Sequence, residues 1–436
     1  MTNPAGSIPG SLPAAVESPR ETLRRWAIVG LLCVAFIIAY IDRQNLSFAL
    51  TDRDFKSFFG LTDSGRGLLN SAFFWTYAAL QIPAGWVVDR FGVKRPFAVG
   101  LAVWSILAGL TAWCGSVTQL FTLRLLLGAG EAVNTPAGMR WLRLNFRPQN
   151  HGFVMGLYQA SAKAGPAIGA PLIAWLLLTY GWRVMFIVMG FGSLIWILPW
   201  MLIVRDNDRE LEAAVLKRPD IPAISFSELL LNRAMLGIII GSFCYNYYNY
   251  FCLTWLPSYF AEQRGLSLSS TGWFTGFGYW GFAIVSTAAG YWSDSLIRRG
   301  ADSIRTRRWF IIAGLLMAST EMIGAAAPSN NVALFFAVFS LSGLGLATGN
   351  LWALTPAMLP GAPPARLAAV QNMAANVPGI VAPIVTGWLK QATGGYQAPM
   401  LANLFFIFLG IASYLILVRP KYAPGAHSAT LSKDSF

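Results

Sequence analysis

Charge is what this sequence has least of. Only 12% of its 436 residues are Asp, Glu, Lys or Arg, against 55% hydrophobic, a balance foreign to soluble globular chains. Histidine is nearly absent: His151 and His427 alone cannot build a histidine-clustered metal centre, and with no nucleophile motif in view an enzyme is not expected. The four cysteines, Cys33, Cys114, Cys244 and Cys252, all fall in apolar stretches, which leaves no metal-ligand spacing and no extracellular disulfide framework. They read as small core residues, and no cofactor is expected. A signal peptide is not apparent either, because the first apolar run is far too long for a signal h-region and leads into more of its kind. A membrane sensor would want a sizeable output domain, and the chain offers none beyond short tails and one polar linker.

What the chain has is apolar length. Twelve stretches are long enough to cross a bilayer core of roughly 30 Å: 26–49, 67–88, 96–114, 119–141, 152–179, 183–204, 234–260, 270–292, 310–327, 332–358, 367–390 and 398–418. An even number puts both termini on one side. Of the 32 Lys and Arg, 23 fall on the side of the termini, 6 on the other and three inside spans, so the termini are expected to be cytoplasmic. The net charge of +13 is thereby read as membrane topology, not as a nucleic-acid surface.

The chain also repeats. Mixed charge interrupted by Pro219 and Pro222 fills the only long polar connection, which comes after six spans. The expected division is a tail at 1–25, a six-helix bundle at 26–204, a cytoplasmic linker at 205–233, a second bundle at 234–418 and a tail at 419–436. GPAIGAP at 165–171 and VPGIVAP at 377–383 both carry prolines five apart. Gly-x-x-x-Asp recurs as Gly85–Asp89 and Gly290–Asp294, Gly128/Gly130 as Gly343/Gly345, and Thr-Pro-Ala at 135–137 as 355–357. Several matches in one order point to parallel six-helix repeats with binding at their interface, the build of a rocking transporter. The plainer alternative is that Gly and Pro simply recur in membrane helices.

After the second span comes GWVVDRFGVKRP, 85–96. Gly85 permits close helix approach, Asp89 and Arg90 can pair across neighbouring helices, Gly92 makes the turn, and Lys94 and Arg95 hold the loop in the cytoplasm. This loop resembles the signature of the major facilitator superfamily, Gly-x-x-x-Asp-Arg-x-Gly followed by basic residues, with Val93 where a basic residue is common. The resemblance implies an all-α membrane fold of twelve helices in two bundles and gives Asp89 the role of a latch between them. The copy around Asp294, Arg298 and Arg299 is looser.

Asp42, Arg43, Arg124, Glu131 and Lys163 all lie inside spans of the first half. At roughly 2.5–3.5 kcal/mol each when unpaired, they should face one another or water. Arg124, Gly128, Glu131 and Thr135 form one helical stripe, as do Gln159 with Lys163 and Tyr77 with Gln81. The second half supplies neutral groups instead: Asn246, Tyr247, Asn249, Asn350, Trp352, Thr355, Gln371, Asn372 and Asn376, suited to hydroxyls, carbonyls or rings. Glu321 is its exception and, near the external end, reads as a snorkelling or interfacial residue. Alternatives stay open for the rest. Asp42 and Arg43 could be an interfacial pair, Arg124 and Glu131 an intrahelical bridge, Lys163 a partner for a carboxylate, and the aromatic groups of the seventh span packing or anchors.

YIDRQNLS, FFWTYAALQIPAG and RLLLGAGEA are similar to the anion:cation symporter branch of that superfamily, which includes bacterial sugar-acid permeases. The resemblance implies proton coupling at Asp42 and Glu131 and a carboxylate site at Arg43 and Tyr77. Lys163 departs from it, since the sugar-acid permeases have an uncharged polar residue nearby. Arg43, Arg124 and Lys163 exceed the two carboxylates by one when both are ionised and by three when both are protonated, so protonation favours anion binding. The expectation is a monomeric, multi-pass carrier in the bacterial inner membrane whose partners are a small organic anion, protons and lipid. An antiporter or efflux carrier, or uptake of an aromatic or dicarboxylic acid, remains the alternative.

Overall fold

The computed structural model describes residues 19–146, 150–207, 232–359, 364–419 and 422. Its helices in the first half are α1 (Pro19–Ala49), α2 (Arg53–Phe59), α3 (Asp63–Phe91), α4 (Lys94–Leu110), α5 (Val117–Glu131), α6 (Asn134–Asn145), α7 (His151–Gly192) and α8 (Ile197–Ile203). The second half contributes α9 (Arg233–Ser258), α10 (Leu268–Arg298), α11 (Ser303–Ser319), α12 (Glu321–Ala326), α13 (Asn330–Met358), α14 (Pro364–Thr393) and α15 (Gln397–Ile416). No strand occurs among the described residues.

Helix starts follow local chemistry. Asp52, Thr62, Ser116, Asn232, Ser267 and Asp302 each accept a hydrogen bond from a backbone N–H in the first turn of the helix that follows. Two expected limits change. The stretch 119–141 is divided between α5 and α6, which are separated by a turn at Ala132 and Val133. Stretches 152–179 and 183–204 are joined instead by α7, which bends at Gly181, where φ is 79° and glycine fits without strain.

Among the described residues, six stretches are long and apolar enough to cross a membrane by length and composition: Pro19–Ala49, Lys94–Trp113, Phe153–Ile203, Ser303–Ala326, Asn330–Met358 and Gln397–Ile416. Helices α3, α9, α10 and α14 are as long, but they carry more of the polar side chains described below.

The halves meet along two seams, α3 against α14 and α7 against α10. Both seams are closed by small residues at one end: a Cβ on Gly67 would run into the Pro383 carbonyl, and one on Gly272 into the Ala174 side chain. That end also holds the loops after α1 and α9, so Pro19 and Arg233, where those helices begin, lie at the other end. Val418 joins them there by accepting from Arg308 at 3.2 Å. The two ends are called distal and terminal below.

Candidate functional site

The site begins where α5 is pressed against α3. A Cβ on Gly128 would collide with the Phe73 carbonyl, so only glycine permits the approach that sets Glu131, one turn on, against α1. There Arg43 donates through Nε to Glu131 Oε1 at 2.8 Å, and its Nη2 donates to the same oxygen. The guanidinium carbon sits 4.6, 4.8 and 4.5 Å from the ring centroids of Tyr40, Phe73 and Tyr77. Arg43 and Glu131 are 7% and 0% exposed. Both donors fall on one carboxylate oxygen, and Glu131 Oε2 has no hydrogen-bond partner among the described residues.

Asp42 is also buried, with Oδ1 accepting from Asn45 Nδ2 at 3.2 Å and Oδ2 unpartnered. Arg124 donates to the Asp42 backbone carbonyl at 3.4 Å, and its Nε and Nη2 have no partner. A small cavity between the two arginines is lined by Asn70 and Thr254 among others. Every residue from Asp42 to Ala49 is buried, so the pair on α1 is enclosed by protein. Glu131 bonds to Arg43 across helices, so it forms no bridge with Arg124 along its own helix.

Other expected residues join this centre. Tyr77 and Thr135 share a hydrogen bond of 3.3 Å. Lys163 donates to Asn249 Oδ1 at 3.4 Å and lies 4.5 Å from the Phe282 ring centroid, so it touches the second half without a carboxylate. Tyr250 donates to Asn376 at 3.3 Å, Asn376 Nδ2 to the Asn372 carbonyl at 2.8 Å, and Asn372 Nδ2 to Gln81 at 3.4 Å across the seam. Some stay outside. Asn246 bonds back to the Ser242 carbonyl of its own helix, and Thr355 with Gln371 ties α13 to α14 at 2.7 Å. Trp352 packs against the apolar core, and Gln159 is exposed one turn before Lys163. Glu321 is a correction: its side chain is buried, 6% exposed, with Oε1 unpartnered, because α11 ends before it and α12 turns it inward.

The loop motifs pair within their own halves. Asp89 accepts from Arg140 of α6, and Asp294 accepts from Arg307 of α11 at 2.8 Å. Gly92 has a φ of 80° and ends α3, Gly85 faces Pro136, Arg90 lies over the Trp86 ring, and Arg95 reaches Asp206 at 3.7 Å.

Sequence reasoning missed a cluster at the distal end. Glu262 accepts from Lys56 at 2.7 Å, Arg66 at 3.2 Å and Tyr396 at 3.0 Å, and pairs with Lys390 at 2.9 Å. Asp63 accepts from Arg66 at 2.7 Å and Lys390 at 2.6 Å, while Arg66 also donates to Ser258 at 2.6 Å. Lys56, Asp63 and Arg66 come from the first half, Glu262 and Lys390 from the second. Burial works against the Glu262 charge, but Arg66, Lys56 and Lys390 outweigh it and hold the carboxyl at about 2. Their only trace in the sequence is that they are among the few charges of the distal connections.

Comparison with known proteins places the chain in a family. A model of the Major Facilitator Superfamily matches residues 32–301. The chain is 32% identical to the probable sulfoacetate transporter of Cupriavidus necator over 408 residues, covering 90% of this chain and 94% of that one. It is 28% identical to the probable galactarate/D-glucarate transporter of Escherichia coli over 438 residues, covering 93% and 96%. Among solved structures it resembles a bacterial homologue of the human lysosomal transporter Spinster, inward-facing and occupied, with a TM-score of 0.76 at 16% identity over 92% of this chain and 98% of that one. At that identity the likeness speaks for the fold alone, whereas the sequence relatives are organic-anion transporters and not enzymes. By its helical fold and by that match over residues 32–301, the chain belongs to the Major Facilitator Superfamily of integral membrane transporters.

Proposed function

We propose that this chain imports a small organic anion, a sugar acid or related carboxylate, by proton-coupled symport. It does so by alternating access between two six-helix bundles, 26–204 and 234–418, which together cross the bacterial inner membrane twelve times with both termini cytoplasmic. The carrying observation is the pair of Arg43 and Glu131, buried, made through Nε and Nη2 to one carboxylate oxygen and with the other oxygen idle. While Glu131 is ionised, Arg43 is satisfied within the protein and an arriving carboxylate would meet a carboxylate. Protonating Glu131 removes that competition and frees the guanidinium fork to grip the substrate in two places. A charge-assisted hydrogen bond is worth about 1.5–3 kcal/mol, so protonation strengthens anion binding roughly 10- to 100-fold, and by linkage the anion strengthens proton binding equally. Asp42, beside Arg124, is the second proton site.

Other observations support the reading. The ion pairs that close the distal end are those an inward-facing arrangement needs. Tyr77, Thr135, Gln81, Asn372 and Asn376 offer hydroxyls and amides to a hydroxylated acid, and the named cargo of the relatives is acidic throughout.

Transport into proteoliposomes tests it. Acid on the distal side should drive accumulation of the anion, and Glu131→Gln should abolish accumulation while sparing counterflow exchange. Uptake indifferent to an imposed pH gradient for every carboxylate tried would falsify the coupling, and equal loss of accumulation and counterflow in Glu131→Gln would reduce Glu131 to a structural residue.

A further inference from the structure

Lys163 is partly buried and unlike Arg43 and Arg124, the other cations inside the spans of the first half. Arg43 has Glu131, and Arg124 lies beside Asp42. Lys163 has only neutral company: Asn249 Oδ1 at 3.4 Å and the rings of Tyr40 and Phe282, at 5.8 and 4.5 Å from its Nζ. No carboxylate lies within 4.0 Å of it among the described residues. A long hydrogen bond and two ring faces recover only part of the roughly 2.5–3.5 kcal/mol that a membrane-embedded lysine costs. The position is also pointed: Lys163 sits at the seam, in contact with α1, α9 and α10. Arg43 and Lys163 flank one ring, that of Tyr40, at 4.6 and 5.8 Å, so their charges are no more than about 10 Å apart.

We propose that Lys163 seats a second acidic group, making the preferred cargo a compact dianion with one acidic group at Arg43 and a carboxylate or sulfonate at Lys163. The inference rests on the reading of Arg43 as the carboxylate site. A gap of at most about 10 Å, less about 3 Å for each hydrogen bond, leaves no more than about 4 Å, which suits acidic groups joined through about two extended carbons or through up to four in a folded chain. The charges agree. With Glu131 protonated, Arg43 and Lys163 present two positive charges to the seam, which a monoanion would only half neutralise, leaving one cation unpaired in a desolvated place. Asn249, on the second half, contacts Lys163 directly, so a group bound there is touched by both halves.

Calorimetric titration of the purified full-length chain in detergent tests this with matched probes: succinate against butyrate, and galactarate against D-galactonate. The dianion of a pair that binds should bind at least about tenfold more tightly, Lys163→Met should bring that ratio close to one by weakening the dianion alone, and Lys163→Arg should keep it. A ratio near one in the natural chain overturns the proposal while leaving the Arg43 site standing. Equal weakening of both probes by Lys163→Met in a protein of unchanged melting temperature also overturns it. Should Lys163→Met not fold, the natural ratio and Lys163→Arg decide. Binding of neither class overturns this inference together with the carboxylate site on which it rests.

Discussion

Replacing Glu262 by Gln should loosen the distal end. The first half reaches the second there through Lys56 and Arg66 on Glu262 and through Lys390 on Asp63. Glutamine keeps the shape but removes the anion shared by Lys56, Arg66 and Lys390, leaving a single cross-half ion pair, Lys390 with Asp63. A carboxyl held at about 2 instead of an ordinary 4.5 corresponds to about 3 kcal/mol favouring its charged form in the closed arrangement. Lys390 lies on the same half as Glu262 and stays with it when the halves part, and the side chain is 21% exposed, so the share that belongs to closure is about 1.5–2 kcal/mol. The ratio of closed to open molecules should fall roughly 10- to 30-fold. Asn70 reports it: the residue is buried, 6% exposed, and lines the cavity inside the cluster. In an Asn70→Cys background, a membrane-impermeant maleimide applied from the distal side should label slowly with Glu262 present and at least about tenfold faster with Glu262→Gln. The sign with pH is fixed as well. Because the carboxyl is depressed, its contribution is complete above about 4.5 and is lost as pH falls toward 2, so the ratio of labelling rates with Glu262→Gln and with Glu262, in which the pH dependence of the thiolate itself cancels, should be flat between about pH 5 and 8. An unchanged labelling rate in Glu262→Gln, or a steep change between pH 5 and 8 that Glu262→Gln removes, would refute the reasoning.

Two further outcomes are expected. Arg43→Lys keeps the charge but loses the fork and the ring stacking, so substrate affinity in counterflow should drop about 10- to 100-fold; transport at natural affinity would remove Arg43 from the binding site. Gly128→Ala and Gly67→Ala both introduce a colliding methyl, but one collision is inside the first half and the other is between the halves. Gly128→Ala should cost about 1–3 kcal/mol of stability, seen as a lower melting temperature in detergent, whereas Gly67→Ala should melt normally and raise distal labelling. Identical behaviour of the two would mean that the seam at Gly67 is part of the fold and not a contact that opens.

Much of the helical architecture was legible because apolar length and the loop motif are local. Proline spacing and Gly-x-x-x-Asp are likewise read within one turn or two, and the pairing of Asp89 and Asp294 with arginines of their own halves keeps the repeat visible. What was not legible is partnership. Arg124 and Glu131 share a helical stripe, which suggests a bridge, yet Glu131 takes Arg43, 88 residues away, because Gly128 draws α5 onto α3. The distal cluster joins residues 196 and 327 positions apart, with no period to betray them. Glu321 misled for the opposite reason: its position along the chain suggested water, but the helix breaks just before it and turns the side chain inward.

The distribution of charge also has a mechanical consequence. Asp42, Arg43, Arg124, Glu131 and Lys163 all belong to the first half, and the second half meets them with amides and hydroxyls. When the halves separate, no ion pair at substrate level is torn across the seam. The contacts that part, Lys163 with Asn249 and Asn372 with Gln81, are long hydrogen bonds of 3.4 Å, each worth no more than about 0.5–1.5 kcal/mol. Among the described residues, ion pairs cross the seam only at the distal cluster, where three cations and two carboxylates interlock. Proton binding and distal opening therefore use different groups. On the proposed mechanism, protons change how firmly the centre holds an anion, and the anion, by bridging Arg43 and Lys163 to the second half, is what is left to tip the balance between the halves against the distal latch.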